Sequence, residues 1–202
     1  RTGKTSVISA LVRAMNALQQ KTMLLAPTGR AAKVIAGYSG FPAFTIHKRI
    51  YRQKALGYFR FQLADNLFTN TLFIVDEASM ISNTGMDGEF GSGRLLDDLV
   101  EFVYSGDGCS LLLLGDTAQL PPVMQPHSPA LEADKLAGYG LKVYSHTLTH
   151  VVRQALESGI LYNATRLREM ISENDTSVFP VFNVSDFTDI KHVDGAELVD
   201  EI

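Results

Sequence analysis

The chain has 202 residues, 46% of them hydrophobic, enough to bury a sizeable core in one main globular body. No run approaches the roughly 18 consecutive apolar residues of a membrane helix, and the start carries no charged-then-apolar leader, so a cytoplasmic protein with no membrane partner is expected. The single cysteine, Cys109, excludes an intrachain disulfide and a cysteine-rich zinc site, and the net charge of -4 argues against a protein that coats nucleic acid over its whole surface.

In chain order, Val7, Ile8, Leu11, Met15 and Leu18 recur at helical spacing and predict a helix from Thr5 to about Gln19, directly after a Gly3-Lys4 turn. Thr22 to Ala26 follows as a short apolar run. Similar runs occupy Thr71 to Val75 and Ser110 to Leu114, and all three read as buried parallel strands. Helices are predicted over about Arg30 to Ala36, Leu95 to Tyr104 and Arg153 to Ile171, which gives the strand-helix alternation of an open twisted sheet. Tyr51 to Asn70, with Gly57 among basic and aromatic residues, reads as a small excursion from the sheet, such as a hairpin. Cys109, just before an apolar run, reads as a small buried hydrophobe.

Each apolar run ends in turn-forming or reactive residues: Pro27-Thr28-Gly29, Asp76-Glu77, and Gly115-Asp116 with Gln119 beyond. Open α/β sheets place their ligands at that edge. The opening Arg1-Thr2-Gly3-Lys4-Thr5 matches the end of the phosphate loop G-x-x-x-x-G-K-[ST], in which backbone amides and a helix terminus cradle phosphates while the Lys reaches the terminal ones. Thr2, Gly3, Lys4, Thr5 and Ser6 are therefore the candidate nucleotide-binding residues. A strand that ends in Asp76-Glu77 adds the carboxylates such a site needs: Thr5 and Asp76 are candidates to hold Mg²⁺, and Glu77 is the candidate base for the attacking water. ATP or another triphosphate is the expected ligand. An exposed acidic pair at a strand end is the plainer alternative.

Charge is divided along the chain. Residues 1–64 hold eleven Lys or Arg and no Asp or Glu, which leaves seven basic against 22 acidic residues in 65–202. Arg30, Lys33, Lys48, Arg49, Arg52, Lys54 and Arg60 are too many for one triphosphate and imply a second polyanion.

Ala26-Pro27-Thr28-Gly29-Arg30-Ala31-Ala32, Thr45-Ile46-His47, Asp76-Glu77-Ala78-Ser79-Met80 and Gly115-Asp116-Thr117-Ala118-Gln119-Leu120-Pro121-Pro122-Val123 occur in one order. Together they resemble the RecD-like DNA helicases of superfamily 1, where such segments are motifs Ia, Ib, II and III; Val152-Arg153-Gln154 is similar to motif IV. The resemblance spans about Thr2 to Arg168. It implies a RecA-like phosphate-loop NTPase core that couples hydrolysis of ATP with Mg²⁺ to movement along single-stranded DNA, from five-prime to three-prime, with unwinding at a single-strand/duplex junction. It further implies that Gln119 contacts the terminal phosphate and transmits nucleotide state, and that Arg153 adds positive charge to the transition state. Asp116 is placed to orient the Gln119 loop.

Pro27, Thr28, Gly29, Arg30, Thr45 and His47 form the candidate DNA-binding set, because backbone amides, hydroxyls and small basic groups hold phosphates without reading bases. His47 reads alternatively as a packing histidine. Gly57-Tyr58-Phe59-Arg60-Phe61 corresponds in position to the insertion that forms a strand-separating pin in RecD-like relatives, or else packs as a small satellite core. Protein partners in a repair or recombination complex are a further implication of the family.

Arg1 stands where many relatives have glycine, and the loop's first glycine is expected upstream of the chain. Residues 1–168 are expected to be the motor domain, with an insertion at about 51–70. Residues 169–202, acidic with only Lys191 in balance, are expected to lead toward a second motor domain or to be partly disordered. The 202 residues leave no room for that second domain, so the chain by itself is expected not to unwind DNA. A nucleotide-dependent binding or regulatory module without hydrolysis and a small-molecule kinase are the alternatives. The kinase accounts for Gly3-Lys4-Thr5 alone.

Overall fold

A computed structural model describes residues 3–53, 61–85, 88–119, 121–122, 125–148, 158–173 and 179–194. The chain divides into two compact units, Lys4–Thr147 on one side and Arg1–Gly3 with Leu148–Ile202 on the other.

The larger unit is built on four strands, β1 (Lys21–Ala26), β2 (Ala43–Thr45), β5 (Thr71–Val75) and β6 (Ser110–Leu113), in the spatial order β2-β1-β5-β6. Every neighbouring pair is parallel. The strands lack an apolar-polar alternation because both faces are covered, as parallel sheets require. Leu24 and Ile74 face one way and pack with Ile8 and Val12 of α1 (Lys4–Ala17) and Ile35 of α2 (Gly29–Ser39). Leu25, Phe73 and Val75 face the other way and pack with Ile46 and Ile50 of α3 (Ile46–Ile50) and Leu96, Leu99, Phe102 and Val103 of α4 (Leu95–Ser105). The period-two reversal of side chains thus feeds two cores from one strand. Burying each such Leu, Ile or Phe contributes about 1.5–3 kcal/mol.

The three expected strands are present, and Leu114 extends the ladder by one more bond, from its N–H to the carbonyl of Val75 at 2.8 Å. The helix expected from Arg30 to Ala36 runs longer at both ends. Thr28 caps its start by accepting the N–H of Ala31 at 3.2 Å, and Gly40 closes it at φ +76°, a conformation that strains any residue with a Cβ. Sequence periodicity missed β2 and α3, because elements of three and five residues are too short to show a period. The excursion expected in Tyr51 to Asn70 contains an antiparallel hairpin, β3 (Tyr51–Gln53) with β4 (Phe61–Leu63), in register Arg52 opposite Gln62. Its connecting residues, Gly57 to Arg60 of the expected pin included, lie outside the described residues. A short helix, α5 (Ala133–Ala137), follows later in the same unit.

In the other unit, α6 (Gly159–Ser172) takes up the described part of the helix expected from Arg153; residues 153–157 lie outside it. Ser158 is its N-cap, accepting the N–H of Leu161 at 3.2 Å. The expected division at residue 168 falls within this helix. Residues 179–194, part of the expected acidic segment, return along α6: Asn163 and Asn183 exchange two hydrogen bonds of 2.7 Å, and Asp189 accepts the N–H of Gly159 at 2.7 Å. Among the described residues, no helix is long and apolar enough to cross a membrane.

Candidate nucleotide site

From β1 the sheet grows to β2 on one side and to β5 and β6 on the other, so the loops after β1 and β5 flank a topological switch point. Asp76-Glu77 follows β5 at this edge, with the Asp76 N–H bonded to the carbonyl of Leu25 at 3.0 Å. Lys4, the first residue of α1, brings its ammonium to 3.0 Å from Asp76 Oδ1 and 3.0 Å from Glu77 Oε1. The Lys4, Asp76 and Glu77 side chains are all largely buried, at 19%, 8% and 26% exposure. Burial works against the Lys4 charge, but the two carboxylates outweigh it and raise its pKa above the ordinary lysine value, so it stays an ammonium at neutral pH.

Among the described residues, one cation faces two carboxylates, and the buried Glu77 Oε2 has no hydrogen-bond partner. A buried charged oxygen without a donor is costly, so the cluster suits the addition of a further cation or of a water. Among the described residues, no three His, Cys, Asp or Glu side chains form a metal cluster. The Mg²⁺ of a nucleotide does not need one, because it takes one or two protein oxygens and completes its shell with phosphates and water. Asp76 fits that requirement. Thr5 and Ser6 lie exposed in the first turn of α1, and Gly3, just before it, has φ +82°. Thr2 lies outside the described residues.

Glu77 itself adopts φ 55°, ψ 37°, a left-handed conformation costly for a residue with a side chain. The turn after it is fixed from both sides. The Ala78 N–H bonds the carbonyl of Leu114 at 2.8 Å, and the Ser128 hydroxyl lies 2.8 Å and 2.7 Å from the carbonyls of Ala78 and Ile81. Gly115 presses on the same turn: a Cβ there would sit 2.9 Å from the backbone nitrogen of Ser79 and 2.7 Å from Leu131 Cδ1. Beyond it, Asp116 shapes the next turn, with Oδ1 accepting the N–H of Ala118 at 3.1 Å and its carbonyl accepting the N–H of Gln119 at 3.0 Å. Gln119 is exposed at the tip of that turn. Among the described residues, its side chain makes no hydrogen bond to Lys4, Asp76 or Glu77. Arg153, expected to add positive charge to the transition state, lies outside the described residues.

The candidate DNA-binding residues come together at the ends of adjacent strands, since Ala26 of β1 is in register with Thr45 of β2. Thr28 and Thr45 are both helix N-caps, and Thr45 accepts the N–H of Lys48 at 3.2 Å. A hydroxyl that accepts a cap bond can still donate its own proton to an anion. Pro27 is half-buried, while Gly29, Arg30, Lys33 and Lys48 are exposed. His47 is half-buried among rings, with Phe90 edge-on at 4.9 Å and Tyr51 at 5.6 Å. Other basic residues are committed locally: Arg52 pairs with Asp65 at 2.7 Å, and the Arg49 guanidinium lies 4.1 Å over the Phe44 ring. Phe61, at the loop end of the β3–β4 ladder, stacks on Phe90 at 4.8 Å.

Sequence reasoning missed Tyr38. Its hydroxyl donates to Asp76 Oδ2 at 2.8 Å from the last turn of α2, and no motif or period distinguishes it from an ordinary half-buried tyrosine.

A parallel sheet covered by helices on both faces, with a helix-leading lysine held against an Asp-Glu pair at its carboxyl edge, defines an α/β phosphate-loop NTPase domain. The chain belongs to the AAA domain family, which matches residues 2–177. It is similar to the ATP-dependent RecD2 DNA helicase of Deinococcus radiodurans, at 30% identity over 164 residues that make up 81% of this chain and 20% of that protein. The resemblance to RecD-like helicases read from the motifs is thereby upheld, and the chain spans about a fifth of the length of that relative. Two solved structures are also similar, each over 61% of this chain and 28% of theirs with a TM-score of 0.38: Bacteroides sp Pif1 in complex with ADP-AlF4, at 25% identity, and Pif1 helicase from Candida albicans, at 21%.

Proposed function

We propose that the chain is the ATP-binding motor domain of a cytoplasmic DNA helicase that moves five-prime to three-prime on single-stranded DNA and opens duplex at a junction, in a repair or recombination setting. The observation that carries this reading is the Lys4 ammonium at 3.0 Å from both Asp76 and Glu77 at the switch point of the sheet. The similarity to the RecD2 helicase, at 30% identity over 164 residues, supports it.

In this mechanism the helix start, with Thr2, Gly3, Lys4, Thr5 and Ser6, receives the phosphates. Lys4 is a compact point charge on a flexible stem, so it can exchange a carboxylate for a terminal phosphate oxygen. Thr5 and Asp76 would hold Mg²⁺, which when bound neutralises charge on the phosphates. Glu77, with one oxygen unpartnered, orients the attacking water and accepts its proton. Gln119 and Arg153 add donors toward the transferred phosphoryl group. Pro27 to Arg30, Thr45 and His47 lie along the DNA backbone. They hold phosphates by amide, hydroxyl and charge, with little sequence preference.

Two substitutions in the intact helicase test the division of roles. Lys4→Ala should abolish ATP turnover. Glu77→Gln should retain ATP binding and lower turnover by about 10²–10⁴-fold, as loss of a general base does. Near-normal turnover in Lys4→Ala would refute the phosphate-loop assignment, and equal loss of binding and turnover in Glu77→Gln would refute the role of Glu77.

A further inference from the structure

The Asp76 carboxylate is held at both oxygens. Oδ1 accepts the N–H of Glu77 at 2.9 Å and lies 3.0 Å from Lys4 Nζ, while Oδ2 accepts the Tyr38 hydroxyl at 2.8 Å. Asp76 is 6% exposed, so water does little to hold it. Its backbone is already set by the bond to Leu25, which leaves the side-chain torsions to these partners. Lys4 is shared with Glu77 and is the partner a phosphate competes for. Among the described residues, Tyr38 is the side-chain donor to Asp76 that remains when Lys4 turns to a nucleotide. The end of α2 is itself tied down, because the carbonyl of Tyr38 accepts the Ser9 hydroxyl of α1 at 3.1 Å.

We propose that Tyr38 is a positioning residue for the metal-holding carboxylate, its hydroxyl fixing the orientation in which Asp76 meets Mg²⁺ from the far end of the helix that begins at the Pro27–Arg30 loop. This rests on the ATP reading above. Partners that orient a metal ligand set its affinity, and their loss typically weakens metal binding by 10–100-fold.

The test is Tyr38→Phe in the intact helicase, which keeps the ring and removes the donor. Mn²⁺ binding in the presence of ADP, followed by the electron paramagnetic resonance of free Mn²⁺, should weaken about tenfold, equivalent to about 1.4 kcal/mol. The Mg²⁺ concentration for half-maximal ATPase should rise by a similar factor, with turnover at saturating Mg²⁺ changed less than about twofold and ADP affinity in EDTA unchanged. If Tyr38 only packs, phenylalanine replaces it without cost. Equal Mn²⁺ affinity in wild type and Tyr38→Phe therefore overturns the proposal while leaving the ATP reading in place. A wild-type protein that holds no Mn²⁺ with ADP overturns the ATP reading, and the role of Tyr38 with it.

Discussion

Gly115→Ala tests how the third motif is set against the second. The added methyl would sit 2.9 Å from the Ser79 backbone nitrogen and 2.7 Å from Leu131 Cδ1. Leu131 can yield by rotating its side chain. The Ser79 nitrogen cannot move alone, because it belongs to a turn bonded to Leu114 and to the buried Ser128 hydroxyl. Overpacking of this kind costs about 1–3 kcal/mol, and we expect about 2 kcal/mol because the hard contact is backbone. At 2–4 °C per kcal/mol for a chain of this size, the thermal midpoint should fall by about 4–8 °C. The strain also falls on the turn that carries Glu77. A displacement of about 1 Å there should lower ATP turnover by about 10²-fold while nucleotide binding through Lys4 persists. Circular-dichroism melting and ATP turnover of the protein read the two effects. A variant that melts within about 1 °C of wild type and turns over normally would show that β6 does not abut the Glu77 turn as described.

The proposed track is tested by replacing Thr45 and His47 together with alanine in the protein. Single-strand affinity and its salt slope should both fall, while nucleotide affinity without DNA holds; the reverse pattern, measured across a salt series, would move these residues to the nucleotide site or the core. The same variant loses the Thr45 cap and should be about 1 kcal/mol less stable, so melting must accompany the binding data. A third expectation concerns acid. Burial pushes the Asp97 carboxyl up, but hydrogen bonds from Tyr139 and Asn83 and the charge of Arg94 outweigh it and hold it below the ordinary value of 3.8. A depressed carboxyl contributes stability that is complete above its unfolded value and is lost as pH falls through the folded one. Asp97→Asn should therefore flatten the melting profile below about pH 3.8 and leave its shape near neutrality unchanged. An identical acid profile in variant and wild type would remove Asp97 as its source.

The strands β1, β5 and β6 were legible because a fully covered parallel strand is a run of apolar residues, and burial is written in composition at short range. The long helices were legible for the same reason, through a period. The residues of the candidate phosphate site could also be singled out, since a motif places Lys4 before a helix and Asp76-Glu77 after a strand. That they meet was not legible: Lys4 and Glu77 are 73 residues apart, and only the parallel register of β1 and β5 and the packing of α1 on them bring the two ends to 3.0 Å. His47 shows the same boundary. Its place in a basic, motif-bearing segment said nothing of the rings of Phe90 and Tyr51 that tertiary packing sets around it. Tyr38 lies wholly on the far side of that boundary. One hydrogen bond to a carboxylate 38 positions away leaves no periodic trace, because a half-buried helical tyrosine looks alike in sequence whether its hydroxyl meets water or Asp76. Local pattern determined how the longer segments fold and that they are buried, though not the three-residue β2 or the five-residue α3. Which polar groups face one another across elements was decided by strand order and helix packing, the long-range terms that no window of sequence contains.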